Sequence, residues 1–221
     1  TDLSGYALVS APMLFMTRNG IEEKLRRFVE AGGVLLTTYW SGVVDAWDLA
    51  HLGPTPHGLT EVLGLRATEL DALRPGLSNG MRLTDGTTYQ VTELCGLVDC
   101  KGAETEAVYT GDWYAGQPCL TRHAYGAGEA WYLAAQVEQA GLNALYARLA
   151  EKAGLPKAME ERLPQGVVAV DRGGVIFLQN YAGEARRVTL LRPYEELISG
   201  KTLSGETELP VCAVLVLRPL E

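Results

Sequence analysis

The sequence predicts an α/β domain built on a mostly parallel sheet with added hairpins, followed by a small antiparallel β domain. Three observations carry this. Two continuous apolar runs, Tyr6–Pro12 and Val34–Tyr39, flank an amphipathic stretch of helical period. From Thr87 the pattern changes to short strand-like segments separated by glycine turns. Beyond a proline-containing boundary at 156–165 only short strands are legible.

The first apolar run reads as a strand buried on both faces. The helix after it, about Gly20 to Ala31, places Ile21, Leu25, Phe28 and Val29 on one face. Glu22 and Glu23 in its first turn and Arg26 and Arg27 later complement the helix dipole, and Gly32-Gly33 ends it. Val34–Tyr39 is then a second buried strand. Two such strands joined by a helix pair in parallel through a right-handed crossover. Ser41 to Thr60 reads as a loop rich in Gly, Pro, Asp and His, with a short helix near Leu59–Leu63. The segment from Leu65 to Asp85 shows mixed, turn-rich character. After it, strands are expected at Thr87–Leu94, Ala107–Thr110, Pro118–His123 and Ala130–Ala135, with hairpin turns at Asp85-Gly86 and Tyr125–Gly128. A helix over 137–153 aligns Leu142, Leu145, Leu149 and Ala153. The expected domains are 1–155 and 165–221. In the second, 167–171 and 175–180 flank the turn Arg172-Gly173-Gly174, and 187–191 and 211–217 complete the strands.

Bulk properties narrow the function classes. The 221 residues suffice for one large domain and a small one, and 47% apolar with 21% charged residues is ordinary globular composition. A formal charge of −8 without a Lys/Arg cluster argues against a nucleic-acid partner. No apolar run is long enough for a membrane helix, and no leader pattern is evident. The four cysteines, Cys95, Cys100, Cys119 and Cys212, have no zinc-ligand spacing and read as reduced thiols of a cytoplasmic protein. The chain starts at Thr1, almost on a strand, as a proteolytic product or one piece of a longer polypeptide would.

Ordered motifs across 1–153 resemble the middle domain of glycoside hydrolase family 42 β-galactosidases. They are Asp2-Leu-Ser-Gly-Tyr6, Ala11-Pro12-Met13-Leu14, Phe28–Gly33, Thr37-Thr38-Tyr39, Ser41-Gly42, Val44-Asp45, Leu52-Gly53, Val62-Leu63-Gly64, Tyr114–Pro118, Thr121-Arg122, Tyr125–Gly128 and Trp131-Tyr132. Residues 165–221 resemble the same family's C-terminal β domain on weaker motifs. The resemblance implies a flavodoxin-like, class I glutamine amidotransferase-like fold and a role in trimerisation. It places hydrolysis of terminal β-galactosides, with retention, on an N-terminal barrel. Retaining hydrolysis needs two carboxyl groups about 5–5.5 Å apart, and no segment here matches the barrel that holds them. No catalytic residue, cofactor or metal ligand is therefore assigned to this chain. The expected partner is the chain itself, as a homotrimer, with the galactoside bound by the barrel. The family's middle domain usually has a further strand–helix–strand before Asp2, so a sheet flank is expected to be exposed.

The loop after the second strand is where α/β proteins usually keep their sites. In class I amidotransferases, which this domain also resembles, a cysteine stands where Trp40 stands here, and an indole is no nucleophile. Trp40, Trp47 and Asp45 are the candidates for a subunit interface or the rim of a neighbouring site, because aromatics suit both. Tryptophans capping their own core are the alternative. Asp45 and Asp48 read as turn residues rather than an acid/base pair. His51 and His57 share the loop, but a metal would need a further ligand. Cys119 and His123, four apart on a strand, stand about 13 Å from each other and form no nucleophile–base pair. Tyr125–Gly128 reads as a hairpin, not a phosphate loop. Tyr181 and Tyr194 are candidates for carbohydrate contact in the second domain, against a purely structural tail. The competing overall reading is a free-standing amidotransferase-like or small-molecule-binding α/β protein.

Overall fold

The computed structural model describes residues 2–220. The chain divides into two compact units, Thr1–Leu155 and Pro156–Glu221.

In the first unit, β1 (Leu8–Ala11), α1 (Ile21–Glu30) and β2 (Val34–Thr38) form the expected strand–helix–strand, with β1 and β2 parallel. A long loop and the short α2 (Thr60–Leu63) lead into β3 (Leu65–Ala72), β4 (Asn79–Leu83), β5 (Thr88–Cys100), β6 (Glu104–Tyr109), β7 (Pro118–Tyr125), β8 (Gly128–Leu133) and β9 (Ala135–Val137). The helix α3 (Gln139–Lys152) closes the unit. The nine strands make one mixed sheet in the order β1-β2-β8-β7-β6-β4-β5-β3, with β9 paired to β5.

Only β1–β2 and β2–β8 are parallel pairs; the other pairings are antiparallel. The expectation of a mostly parallel sheet is thus corrected. Parallel neighbours need a long crossover. The β4–β5, β6–β7 and β7–β8 connections are turns, which return the chain antiparallel. β9 continues β8 past Ala134 and pairs with β5, so the pairings β8-β7-β6-β4-β5-β9 come back to their own start. This closure wraps one core, in which Met81, Val91, Cys95, Tyr109, Leu120 and Trp131 are buried with Leu145 and Leu149 of α3.

A second core lies under α1 and α2, where Leu25, Phe28, Val29, Val62 and Leu63 pack with Leu35 and Tyr132. β2 serves both cores, since Val34 and Leu36 belong to the first and Leu35 to the second. Its five residues are all buried, as its unbroken apolar run predicted. β1 differs from expectation. It pairs only with β2 among the described residues and is half-buried, because no second neighbouring strand covers its free side.

β3 lies in the stretch that carried no strand signal. It is an edge strand with mostly exposed residues, so no alternation marks it. Glu106 is the main buried charge of this unit. Burial works against its ionised form, but Arg148 at 2.6 Å and Arg122 at 3.0 Å hold its pKa below the usual value. Arg148 also lies over the buried Trp131 ring, 4.8 Å from its centroid.

The second unit is a five-stranded antiparallel sheet in the order β10-β11-β14-β12-β13. Its strands are β10 (Val167–Arg172), β11 (Val175–Asn180), β12 (Arg186–Glu196), β13 (Lys201–Leu209) and β14 (Val214–Pro219). β13 was not legible, because KTLSGETEL is polar along its length and sits at the sheet edge. The stretch 156–165, expected as a boundary, is part of this unit. Met159 is in its core, and the buried Glu161 accepts hydrogen bonds from the Tyr194 hydroxyl at 2.8 Å and the Leu191 N–H at 3.1 Å.

Glu196, only 4% exposed, ties the β12–β13 turn to β14. The Ser199 hydroxyl and N–H, then the N–H groups of Val216 and Ile198, bring its pKa down to about 2.

Two outcomes are expected. Glu106→Gln leaves two arginines without their shared carboxylate. Both are partly solvated, so the loss of stability is about 1–3 kcal/mol, read by urea unfolding of the first unit. Glu196 has a lowered folded pKa, so the stability it contributes is present above the ordinary carboxyl pKa and is lost as pH falls towards about 2. Glu196→Gln therefore weakens the second unit at pH 7 and flattens its loss of stability between about pH 4.5 and 2, measured by pH-dependent unfolding.

Candidate functional site

The loop from Tyr39 to Leu59 leaves the carboxyl end of β2, and its local chemistry fixes its shape. Ser41 is buried. Its hydroxyl donates to the Thr38 carbonyl at 2.7 Å, shares a hydrogen bond with the Thr37 hydroxyl at 2.6 Å, and accepts the Leu14 N–H at 3.2 Å. That hydroxyl is committed to the backbone and is not placed to attack a substrate. Gly42 has φ 60°, and a Cβ there would stand 2.5 Å from the His57 backbone nitrogen. Glycine is required for this contact, in which the His57 N–H donates to the Gly42 carbonyl at 3.1 Å.

Trp40 adopts φ 56°, left-handed backbone that is rare for a bulky side chain. Its side chain is an indole, which offers no nucleophile at the end of β2. A loop succeeds it, and the next helix begins only at Thr60. The three candidates share this loop, in different roles. Trp47 is 83% exposed and Trp40 41%, which removes the reading of Trp47 as a cap on its own core. Leu52, 96% exposed, and Leu49 lie in the same loop, and Met13 and Phe15 are exposed on the segment that hydrogen-bonds to it.

Asp45 is the loop's organiser. Its carboxylate accepts the N–H groups of Trp47 at 2.8 Å and Leu49 at 3.1 Å. These bonds lower its pKa, the Trp47 N–H most and the Leu49 N–H next. The carboxylate thus shapes the turn that presents Trp47. A shallow cavity of about 210 Å³ lies beside the loop, lined by Tyr39, Trp40, Val43, Leu70 and Tyr132 among others.

Other groups singled out from the sequence are structural. Burial raises the thiol pKa values of Cys95, Cys100 and Cys119, so these cysteines stay protonated. The His123 ring bonds the Val62 carbonyl through Nδ1 at 2.8 Å rather than approaching Cys119. Tyr125–Gly128 is the β7–β8 hairpin. Tyr194 is fully buried, which removes it as a carbohydrate contact, while Tyr181 is exposed. One association was not legible: the fold brings Glu22 of α1 to His51 and His57, giving the pair a third ligand-type residue. Helix and loop are distant in sequence, so no spacing could announce it.

Comparison with known proteins gives the family. A model of the β-galactosidase trimerisation domain matches residues 1–156. A β-galactosidase of Alicyclobacillus acidocaldarius is 43% identical over 97% of this chain and 33% of its own length. The cold-adapted β-galactosidase of Rahnella sp. R3 superposes with a TM-score of 0.91 at 36% identity, over 100% of this chain and 33% of that one. Gan42B, a GH42 β-galactosidase, gives 0.88 at 32% identity, over 98% of this chain and 32% of its own. The chain belongs to the β-galactosidase trimerisation domain family. It spans about a third of the length of these relatives.

Replacing Trp40 by Gly relieves left-handed strain of about 1 kcal/mol while removing a half-exposed ring. The expected stability of the isolated chain is within about 1 kcal/mol of the original, measured by denaturant unfolding. Asp45→Ala is expected to speed amide exchange at Trp47 and Leu49 specifically, read by hydrogen exchange.

Proposed function

We propose that this chain is the assembly part of a retaining β-galactosidase and takes no part in bond cleavage. In the longer protein, three copies associate through the first unit, and a catalytic barrel elsewhere in the polypeptide hydrolyses terminal β-galactosides. The observation that carries this is the loop after β2. It combines an exposed apolar set, Trp40, Trp47, Leu49 and Leu52, with a backbone fixed by Ser41, Gly42 and Asp45. Pre-ordered aromatic anchors lose little entropy on association, which is what an interface hot spot requires. Trp40 and Trp47 are the proposed anchors against a neighbouring subunit, at or near the rim of its sugar site, and Asp45 positions Trp47.

The flavodoxin-like character belongs to this reading as well. β1, β2 and β8 with the α1 crossover are the parallel remnant of such a sheet, onto which an antiparallel closure was added. The C-terminal sheet is read as a structural β domain of the same enzyme. Four free cysteines agree with a cytoplasmic protein, and no described helix is long and apolar enough to cross a membrane.

Two measurements test the reading. The purified chain is expected to release no chromophore from a chromogenic β-galactoside. Turnover that co-purifies with the chain through successive columns contradicts it. In the longer protein, Trp40→Ala with Trp47→Ala is expected to weaken trimer association by about 30-fold or more, seen by sedimentation. An unchanged trimer would remove the loop from the interface.

A further inference from the structure

We propose that Glu22, His51 and His57 form a binding site for a divalent transition-metal ion of the zinc type. One ligand-type atom from each residue lies within 4.8 Å of those of the other two. Ligands at about 2.0–2.2 Å from a common tetrahedral ion stand roughly 3.3–3.6 Å apart, so side-chain shifts on the order of 1 Å close the set. Two imidazoles and one carboxylate form a recurrent zinc donor set that leaves a fourth position for water. Two nitrogen donors disfavour magnesium and calcium, which take oxygen ligands.

Four further observations converge on these residues. The His51 and His57 rings stack at 3.8 Å with 6° between their planes. The stack sets ring nitrogens of the two residues side by side, and a tilt of the rings converges them on one ion. His51 Nε2 is hydrogen-bonded to the hydroxyl of buried Thr17 at 2.9 Å, the kind of outer contact that orients a ligating histidine. His57 Nδ1 is buried and has no hydrogen-bond partner among the described residues, and a metal bond is one way to satisfy such a nitrogen. Next to it, Gly58 has φ 71°, and a Cβ there would stand 2.9 Å from Glu22 Cγ. The residue after His57 is thus one that lets the carboxylate stem approach.

The backbone supports the same geometry. The His51 N–H donates to the Val43 carbonyl at 3.0 Å and the His57 N–H to the Gly42 carbonyl at 3.1 Å, so both histidines hang from one short segment. Glu22 lies in the first turn of α1. The bound ion would cross-link that helix to the loop that carries Trp40 and Trp47. The site does not rest on the assembly reading, because binding is read on the isolated chain.

The test uses the untagged full chain with Cys212→Ser, which removes the one exposed thiol as a competing ligand. After treatment with a chelator, it is titrated with Zn²⁺ by calorimetry and with Co²⁺ by visible absorption. The expected result is saturation at one ion per chain, with d–d bands of a four- or five-coordinate cobalt site. Zn²⁺ is also expected to slow amide exchange in 41–59. Glu22→Gln and His57→Gln each weaken binding at least tenfold, and Thr17→Val, which removes only the outer hydrogen bond, weakens it about 10- to 100-fold. Circular dichroism establishes that each variant is folded. Absence of saturable binding by the unsubstituted ligand set overturns the proposal, as does affinity unchanged in folded Glu22→Gln and His57→Gln.

Discussion

The double burial of β2 is the constraint on which the first unit depends. Five residues, Val34 to Thr38, are inaccessible on both faces and paired on both edges, to β1 and to β8. One face requires the α1–α2 layer, and the other requires the strand closure and α3. Parallel pairing on both edges forces crossovers, so the chain must leave the carboxyl end of β2 through a connection that returns to the opposite end. That exit is the loop with Trp40, Asp45, Trp47, His51 and His57. Its position at the strand ends is a consequence of the topology, whatever chemistry it carries.

The polar groups around this exit are committed to the backbone. Trp40 has left-handed backbone, its side chain is an indole, and a loop rather than a helix comes directly after it. Ser41 spends its hydrogen bonds on Thr37, Thr38 and Leu14. Asp45 holds two backbone amides. The buried thiols are held protonated by desolvation. These polar groups stabilise the loop's shape, and apolar rings point outward from it.

Local periodicity made much of this legible. α1, β2, α3 and the β7–β8 hairpin were readable because their apolar residues repeat with the period of their structure and glycines mark their ends. β3 and β13 were not. Each is an edge strand whose residues are mostly solvated, and burial, not propensity, creates the alternation that a sequence displays. Hairpins were expected after Thr87, but the balance of the sheet was misjudged, because the strands from β3 onward make most of its pairings antiparallel. Trp40, Asp45 and Trp47 were singled out by residue type and by their place after the second strand. The meeting of Glu22 with His51 and His57 was not, because it depends on a tertiary contact between a helix and a loop.

Hydrogen exchange of residues 40–59 in the longer protein tests the central claim most directly, comparing the assembled state with the dilute dissociated one. The account predicts that the amides around Trp40, Trp47 and Leu52 are protected on assembly. Equal exchange in both states, with protection confined to other surfaces, would contradict it.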